Sequence, residues 1–254
     1  MRSGTAPARN TADALRLIRE AAAGGAELVA TPEMTTQLDR RRTRPVPAEA
    51  DTLAPFEDLA AELGIHILLG SIPVPDGDRL RNQSVLLSPS GVLARYTKMH
   101  LFDVDVSESE RWRESATFRA GDAPATADIG DARLGLSICY DLRFPELFRH
   151  YARAGCQLIA VPAAFTVPTG QAHWHVLLRA RAIETGAYIL APAQGGLHED
   201  GRRTYGHSLV VDPWGEVVAE LAHDEPGILL ADLDLSRVAD ARRRIPAWAQ
   251  VPRV

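Results

Sequence analysis

The chain has 254 residues, 46% hydrophobic and 24% charged, with a net charge of −5. That is ample for a buried core, and with no linker or low-complexity segment it reads as one domain, residues 1–254. Acids and bases are interspersed without a basic block, and no apolar run approaches a membrane span or a leader peptide. Composition therefore argues against nucleic acid, membrane and export.

In chain order, the first predicted helix covers residues 11–23. It stops at Gly24-Gly25 and is followed by the β run Leu28-Val29-Ala30-Thr31 and Pro32. The same sequence of signals recurs three times: helix 55–63, Gly64 and strand 65–70, ending at Pro73; helix 145–154, Gly155, strand 158–161 and Pro162; helix 172–185, Gly186, strand 188–191 and Pro192. Glycine suits the end of a helix because it takes positive φ freely. Proline has no N–H to give to a ladder and so closes a strand. Two hairpins are interleaved, 84–87 with 92–96 and 208–211 with 217–221. Their turns, Ser88-Pro89-Ser90-Gly91 and Asp212-Pro213-Trp214-Gly215, carry the Pro and Gly of a type I turn. A further strand is expected over 228–235, and the Arg/Pro tail from Arg237 reads as irregular. Alternating helices and strands mark an α/β fold with helices on the outer faces of sheets. A four-layer α-β-β-α sandwich fits, and periodicity alone does not separate it from a doubly wound sheet.

Three chemically reactive residue types fall just past the ends of three separate strands. Glu33 follows Leu28-Val29-Ala30-Thr31-Pro32. Lys98 ends the second strand of the first hairpin and is the only lysine among 28 Lys and Arg residues. Cys139 follows Leu134-Gly135-Leu136-Ser137-Ile138, whose alternation describes a strand with one apolar face. Pro145 then opens a helix, so Cys139 sits at a strand-to-helix corner. Each also has a plainer reading: a solvated loop carboxylate, a compositional remnant and a buried structural cysteine. The other cysteine, Cys156, follows Gly155 at the start of a strand and fits the structural reading better. Two cysteines in unlike settings suggest a reduced, cytoplasmic protein with free thiols. No Cys or His pair has the spacing of a metal site, and His173 and His175, two apart on a helix, face apart.

In α/β folds, sites gather beyond the carboxyl ends of strands. There a thiol, a carboxylate and an ammonium together would perform acyl transfer. The thiol attacks an amide carbonyl, the carboxylate takes its proton and returns one to the leaving amine, and the ammonium with a backbone N–H holds the oxyanion. Lysine is a compact point charge that can also give up its proton in a dry site, unlike arginine.

Three segments resemble the motifs of the nitrilase, or carbon–nitrogen hydrolase, superfamily. They are Leu28-Val29-Ala30-Thr31-Pro32-Glu33, Tyr96-Thr97-Lys98-Met99-His100-Leu101-Phe102-Asp103 and Ile138-Cys139-Tyr140-Asp141-Leu142-Arg143-Phe144-Pro145-Glu146. The resemblance covers roughly residues 10–235. It implies an α-β-β-α sandwich, no cofactor, a homodimer or higher homo-oligomer, and a Glu-Lys-Cys triad of Glu33 (general base), Lys98 (oxyanion stabiliser and proton donor) and Cys139 (nucleophile). It also implies a second, supporting glutamate. Glu114 matches that position, with Glu108 and Glu110 as alternatives in a polar stretch.

Phe102-Asp103-Val104-Asp105-Val106, Arg113-Glu114-Ser115, residues 172–184, Tyr205-Gly206-His207-Ser208 and Val211-Asp212-Pro213-Trp214-Gly215 are most similar to the deaminated glutathione amidase branch. That branch cleaves its substrate to 2-oxoglutarate and Cys-Gly, and ω-amidases of 2-oxo acid amides share several of these segments. The expected substrate is a small anionic amide. Tyr140, Arg143, Phe165, Thr166 and Thr169 are the candidates to line its pocket. Arg143 either binds a carboxylate or pairs with a helix acid such as Glu146. Arg179, Arg181 and Glu184 are expected to pair structurally on their helix. An N-carbamoyl or aliphatic amide hydrolase, or a non-catalytic binding member, remain the alternatives. Where the family begins with a strand, Met1-Arg2-Ser3-Gly4-Thr5-Ala6-Pro7 runs almost directly into a helix, so the first strand is expected to be absent or truncated.

Overall fold

The computed structural model describes residues 1–40, 42–105 and 111–250, so Glu108 and Glu110 lie outside the described residues. The chain opens with helix α1 (Pro7–Ala23), strand β1 (Leu28–Ala30) and helix α2 (Glu49–Leu63). Strands β2 (His66–Asp76), β3 (Arg79–Ser88) and β4 (Gly91–Thr97) follow. A short hairpin, β5 (Asp103–Asp105) and β6 (Arg111–Arg113), leads to β7 (Phe118–Arg119), β8 (Ala125–Ile129) and β9 (Ala132–Leu136). Then come helix α3 (Pro145–Arg153), β10 (Leu158–Ala160), helix α4 (Val167–Thr185) and β11 (Tyr188–Ala191). The chain ends through β12 (Gly195–Leu197), β13 (Arg203–Tyr205), β14 (Leu209–Val211), β15 (Val217–Glu220) and helix α5 (Ser236–Arg244).

Two main sheets result. One runs β1-β2-β3-β4 with β7 beside β3, and the other runs β15-β14-β11-β10-β9-β8. The period of two along a strand assigns their faces. Ile67 and Leu69 of β2, and Val85 and Leu87 of β3, pack with Ala14 and Ile18 of α1 and Phe56 and Leu59 of α2. The alternate residues Leu68 and Leu86 point the other way, into a core shared with Leu134 and Leu136 of the second sheet. Phe148 of α3 and Trp174 and Leu178 of α4 belong to that second core. The layers are therefore helices, sheet, sheet, helices, as expected.

Boundaries differ from the sequence reading where proline is the signal. Helix α2 starts at Glu49, six residues before Pro55, and carries Pro55 inside it. Glu49 and Asp51 in its first turn suit the helix dipole, and Leu53, Phe56 and Ala60 form its buried stripe. Strand β2 does not stop at Pro73: Pro73 and Pro75 pair with Asn82 and Leu80 of β3. Strand β1 accompanies β2 only as far as Leu68. Beyond that point β2 is an edge strand, where the missing N–H of proline breaks no ladder.

The region expected to form a strand over 228–235 pairs with no strand, and the tail expected to be irregular forms α5. Leu233 and Leu235 lean on the core, and Tyr188 Oη donates to the Asp234 carbonyl at 3.1 Å, so side-chain packing holds the segment without a ladder. Helix α5 is fixed by Arg242, which reaches the Cys156 and Thr185 carbonyls at 2.6 and 3.1 Å. Residues 1–6 form no strand, as expected.

Gly70 lets the carboxyl ends of β1 and β10 approach. A Cβ there would lie 2.5 Å from Pro162 Cβ and 2.6 Å from the Pro32 carbonyl oxygen. Those neighbours are backbone or rigid rings and cannot move aside. Gly70→Ala is expected to cost about 2–3 kcal/mol of stability, read as a fall in the denaturant midpoint; an unchanged midpoint would refute the close approach.

Candidate active site

Glu33 lies three residues past β1, in a turn whose polar groups are satisfied internally. The Thr31 and Thr35 hydroxyls meet at 2.6 Å, Gly70 N–H donates to Thr31 Oγ1 at 3.0 Å, and Met34, at φ 55°, donates its N–H to Ser71 Oγ at 2.9 Å. Lys98 follows β4 directly, and its N–H donates to the Asn82 carbonyl at 2.9 Å. Cys139 stands three residues past β9 at φ 52°, a left-handed conformation rare outside glycine. The Cys139 N–H donates to the Pro162 carbonyl at 2.9 Å, tying the ends of β9 and β10 together.

Asp141, fully buried, holds this corner. Its Oδ2 accepts the Ile138 N–H at 2.8 Å and the Tyr96 hydroxyl at 2.7 Å. Its Oδ1 meets the His100 ring at Nδ1, 2.7 Å, and accepts the His100 N–H at 3.1 Å. The His100 ring stacks on Phe144 with centroids 3.6 Å apart.

The structure brings Glu33, Lys98, Glu114 and Cys139 to one point. Lys98 Nζ donates to Glu33 Oε1 at 2.9 Å and to Glu114 Oε2 and Oε1 at 2.9 and 3.1 Å. Asn82 Nδ2 bridges the same two carboxylates, at 2.9 and 3.1 Å. The Ala164 N–H donates to Glu33 Oε2 at 2.9 Å and the Phe102 N–H to Glu114 Oε2 at 2.7 Å. Lys98 is 1% exposed and Glu33 5% exposed. Unpaired charges so deeply buried would be untenable, and each here has fixed partners.

Burial and charge set the protonation of this cluster. Burial pulls the Lys98 pKa down, but the Glu114 and Glu33 carboxylates outweigh it and hold the ammonium form well above the ordinary range. The proton loss that a dry site could bring to a lone lysine is thus prevented. Burial pushes Glu33 up, yet Lys98, the Cys139 thiol and Asn82 together hold its carboxyl below the ordinary value. Burial, and then the Glu33 charge, drive the Cys139 thiol well above its ordinary value despite Lys98. The resting site holds a protonated thiol beside a carboxylate and an ammonium. The 240 nm thiolate absorbance that distinguishes the protein from its Cys139→Ser variant is therefore expected to be absent at pH 7 and to emerge only above the ordinary thiol range. A thiolate signal at neutral pH would contradict this arrangement.

These four residues open onto a cavity of about 280 Å³. Tyr140, Arg143, Phe165, Thr166 and Thr169 all line it. Thr166 and Thr169 share a hydrogen bond of 2.9 Å at the start of α4. Arg143 does not pair with Glu146 among the described residues. Its Nη1 lies 3.2 Å from His173 Nδ1, and its guanidinium stands 5.4 Å from the Phe165 ring and 5.8 Å from that of Tyr140. That leaves a cation facing the cavity without a carboxylate. His175 turns away to Glu220 at 2.9 Å, Arg181 pairs with Glu184 at 3.0 Å, and Arg179 donates to the Gly215 carbonyl at 2.7 Å. Cys156 is buried away from the cavity lining, and Arg242 donates to its carbonyl.

Asn82, Asp141 and His100 are the residues that sequence reasoning missed. Asn82 reads as one polar residue in a strand, and its two partners are 49 and 32 positions away. Asp141 carried one local signal, an acid in the first helical turn after a strand, two residues past Cys139.

The model of the family described as carbon-nitrogen hydrolase matches residues 3–243. A deaminated glutathione amidase from Synechocystis is 41% identical over 94% of this chain and 90% of its own length. The human ω-amidase NIT2 is 39% identical over 95% of this chain and 88% of its own length. The crystal structure of the C. elegans NitFhit protein superposes with a TM-score of 0.90 at 35% identity, over 99% of this chain; the chain spans 63% of that longer protein.

Proposed function

Because the chain belongs to the carbon–nitrogen hydrolase family, we propose that it is a thiol-dependent amidase of the nitrilase superfamily, hydrolysing a small anionic amide. Its most fitting substrate is deaminated glutathione, cleaved to 2-oxoglutarate and Cys-Gly; an ω-amidase activity on 2-oxo acid amides is the second reading, favoured by the likeness to NIT2. The observation that carries the proposal is the buried contact of Glu33, Lys98 and Glu114 beside the Cys139 thiol.

In the proposed reaction, Cys139 Sγ attacks the amide carbon as Glu33 takes the thiol proton. The carbonyl oxygen gains negative charge against the Lys98 ammonium and a backbone N–H at the corner. Glu33 gives its proton to the amide nitrogen, the C–N bond breaks and the amine leaves. A water then gives a proton to Glu33 and adds to the thioester carbon. The C–S bond breaks, the thiol regains the proton and the acid departs. Glu114 and Asn82 fix the Lys98 ammonium throughout. Arg143 supports the preference for an anionic acyl half, because a guanidinium without a carboxylate partner binds one bidentately. No step calls for a metal or a cofactor.

We further propose that residues 1–254 act as one domain in a cytoplasmic homodimer or higher homo-oligomer. No helix among the described residues is long and apolar enough to cross a membrane. The test of function is a side-by-side assay of deaminated glutathione, 2-oxoglutaramate and an N-carbamoyl amino acid. Deaminated glutathione is expected to show the highest kcat/KM, by about tenfold or more, an amount equal to about 1.4 kcal/mol of transition-state binding. Preference for 2-oxoglutaramate would select the second reading, and hydrolysis of none would refute the amidase assignment.

A further inference from the structure

Beyond Lys98 and Arg143, the cavity is lined by further arginines that the mechanism does not use, among them Arg40, Arg42, Arg44 and Arg111. Arg40 lines it from the segment after Glu33, whereas Arg143 lines it from the segment after Cys139. Arg40's closest acid is already occupied. Asp200 Oδ2 accepts the Arg40 backbone N–H at 3.1 Å and Arg202 Nη2 at 3.2 Å, and its Oδ1 accepts the Arg202 N–H at 3.0 Å. Among the described residues, the Arg40 guanidinium itself donates only to the Arg111 carbonyl, at 3.3 Å. It lies 4.4 Å from the centre of the Trp112 ring, which also carries the Arg202 guanidinium at 5.1 Å. By contrast Arg113, beyond Trp112, is neutralised by Asp105 at 2.8 Å.

A guanidinium laid on an indole keeps the edge of its donor fork free, and the ring limits the rotamers it must give up on binding. Such a group is suited to hold a carboxylate through two parallel hydrogen bonds. We propose that Arg40 forms a second anion-binding position of the cavity, which takes a carboxylate on the leaving-amine half of an extended amide while Arg143 takes the acyl half. The inference rests on the amidase reading above and deepens it. A primary amide, which releases ammonia, has nothing to offer Arg40, whereas an amide whose leaving amine is a dipeptide ends in the required carboxylate. The position thus selects amides of carboxylate-bearing amines over primary amides.

Calorimetric titration of the Cys139→Ala protein tests this without turnover. The two ligands are deaminated glutathione and its C-terminal carboxamide, which differ only in the charge at that end. The free carboxylate is expected to bind about tenfold more tightly, the effect of one charge-assisted contact. In the Cys139→Ala, Arg40→Gln double variant the ratio is expected to fall to about one, and with Arg40→Lys to an intermediate value, because the charge stays and the fork is lost. Equal ratios with and without Arg40, a ratio of about one in the parent, or no binding of either ligand would overturn the proposal. Failure of the amidase reading is seen separately, as absence of hydrolysis by the Cys139 protein.

Discussion

Cys139→Ala is expected to lower hydrolysis of every amide the protein turns over to background, a loss of about 10⁴-fold or more. Glu33 can act as a base only toward a proton donor beside it on the cavity, and Cys139 is that donor. Without the thiol no covalent acyl group forms, and Glu33 and Lys98 are left to assist water at a position built for sulfur. Cys156→Ser is the control. Cys156 is fully buried, with its carbonyl held by Arg242, so its replacement is expected to cost stability while kcat per folded molecule holds. Mass spectrometry of the quenched reaction should find an acyl adduct on the peptide with Cys139 alone. Residual turnover above about 1% in Cys139→Ala, with an unchanged melting temperature, would defeat the nucleophile assignment.

Lys98→Arg is expected to retain the charge and still lose about 10³-fold in kcat, near 4 kcal/mol, with a smaller change in KM. Lys98 Nζ sits where its donors reach two carboxylates, and the side chain is 1% exposed. Arginine delivers its charge over a planar fork that is longer and wider. In this enclosed space it displaces either Glu33 or the oxyanion. The conservative exchange thus separates a requirement for positive charge from a requirement for a point charge. Near-normal kcat would show that Lys98 only neutralises its acids. Lys98→Met is a poorer probe, because it leaves Glu33 and Glu114 buried against each other and threatens the fold itself.

The sequence made the residues at strand ends legible because strand periodicity and strand stops are local signals. Glu33, Lys98 and Cys139 each follow a run that alternates or ends on proline, and the fold delivers all three to one cavity. Residues whose importance comes only from pairing were silent. Asn82 acquires its meaning when β3 lies between β2 and β4, and nothing near it in the chain announces this. The two-residue connection between Asp76 and Arg79 was legible in principle, since Gly77 takes φ 64° there, but two prolines upstream masked the strand that feeds it. Residues 228–235 show the reverse error. They carry a strand's composition, but no strand among the described residues pairs with them. Propensity makes a strand available; a neighbour makes it one.

The lone lysine has a consequence at the surface as well as in the site. With Lys98 enclosed, no ε-amino group of this chain meets solvent. Its other amine is the α-amino group of Met1, which burial pushes down to about 6. Amine-acylating reagents, lysine crosslinkers and enzymes that tag lysine therefore meet a surface with no ε-amine to modify. Acylation of Lys98 needs its free amine, which the Glu33 and Glu114 contacts withhold, and its rate becomes a clock for the breaking of those contacts.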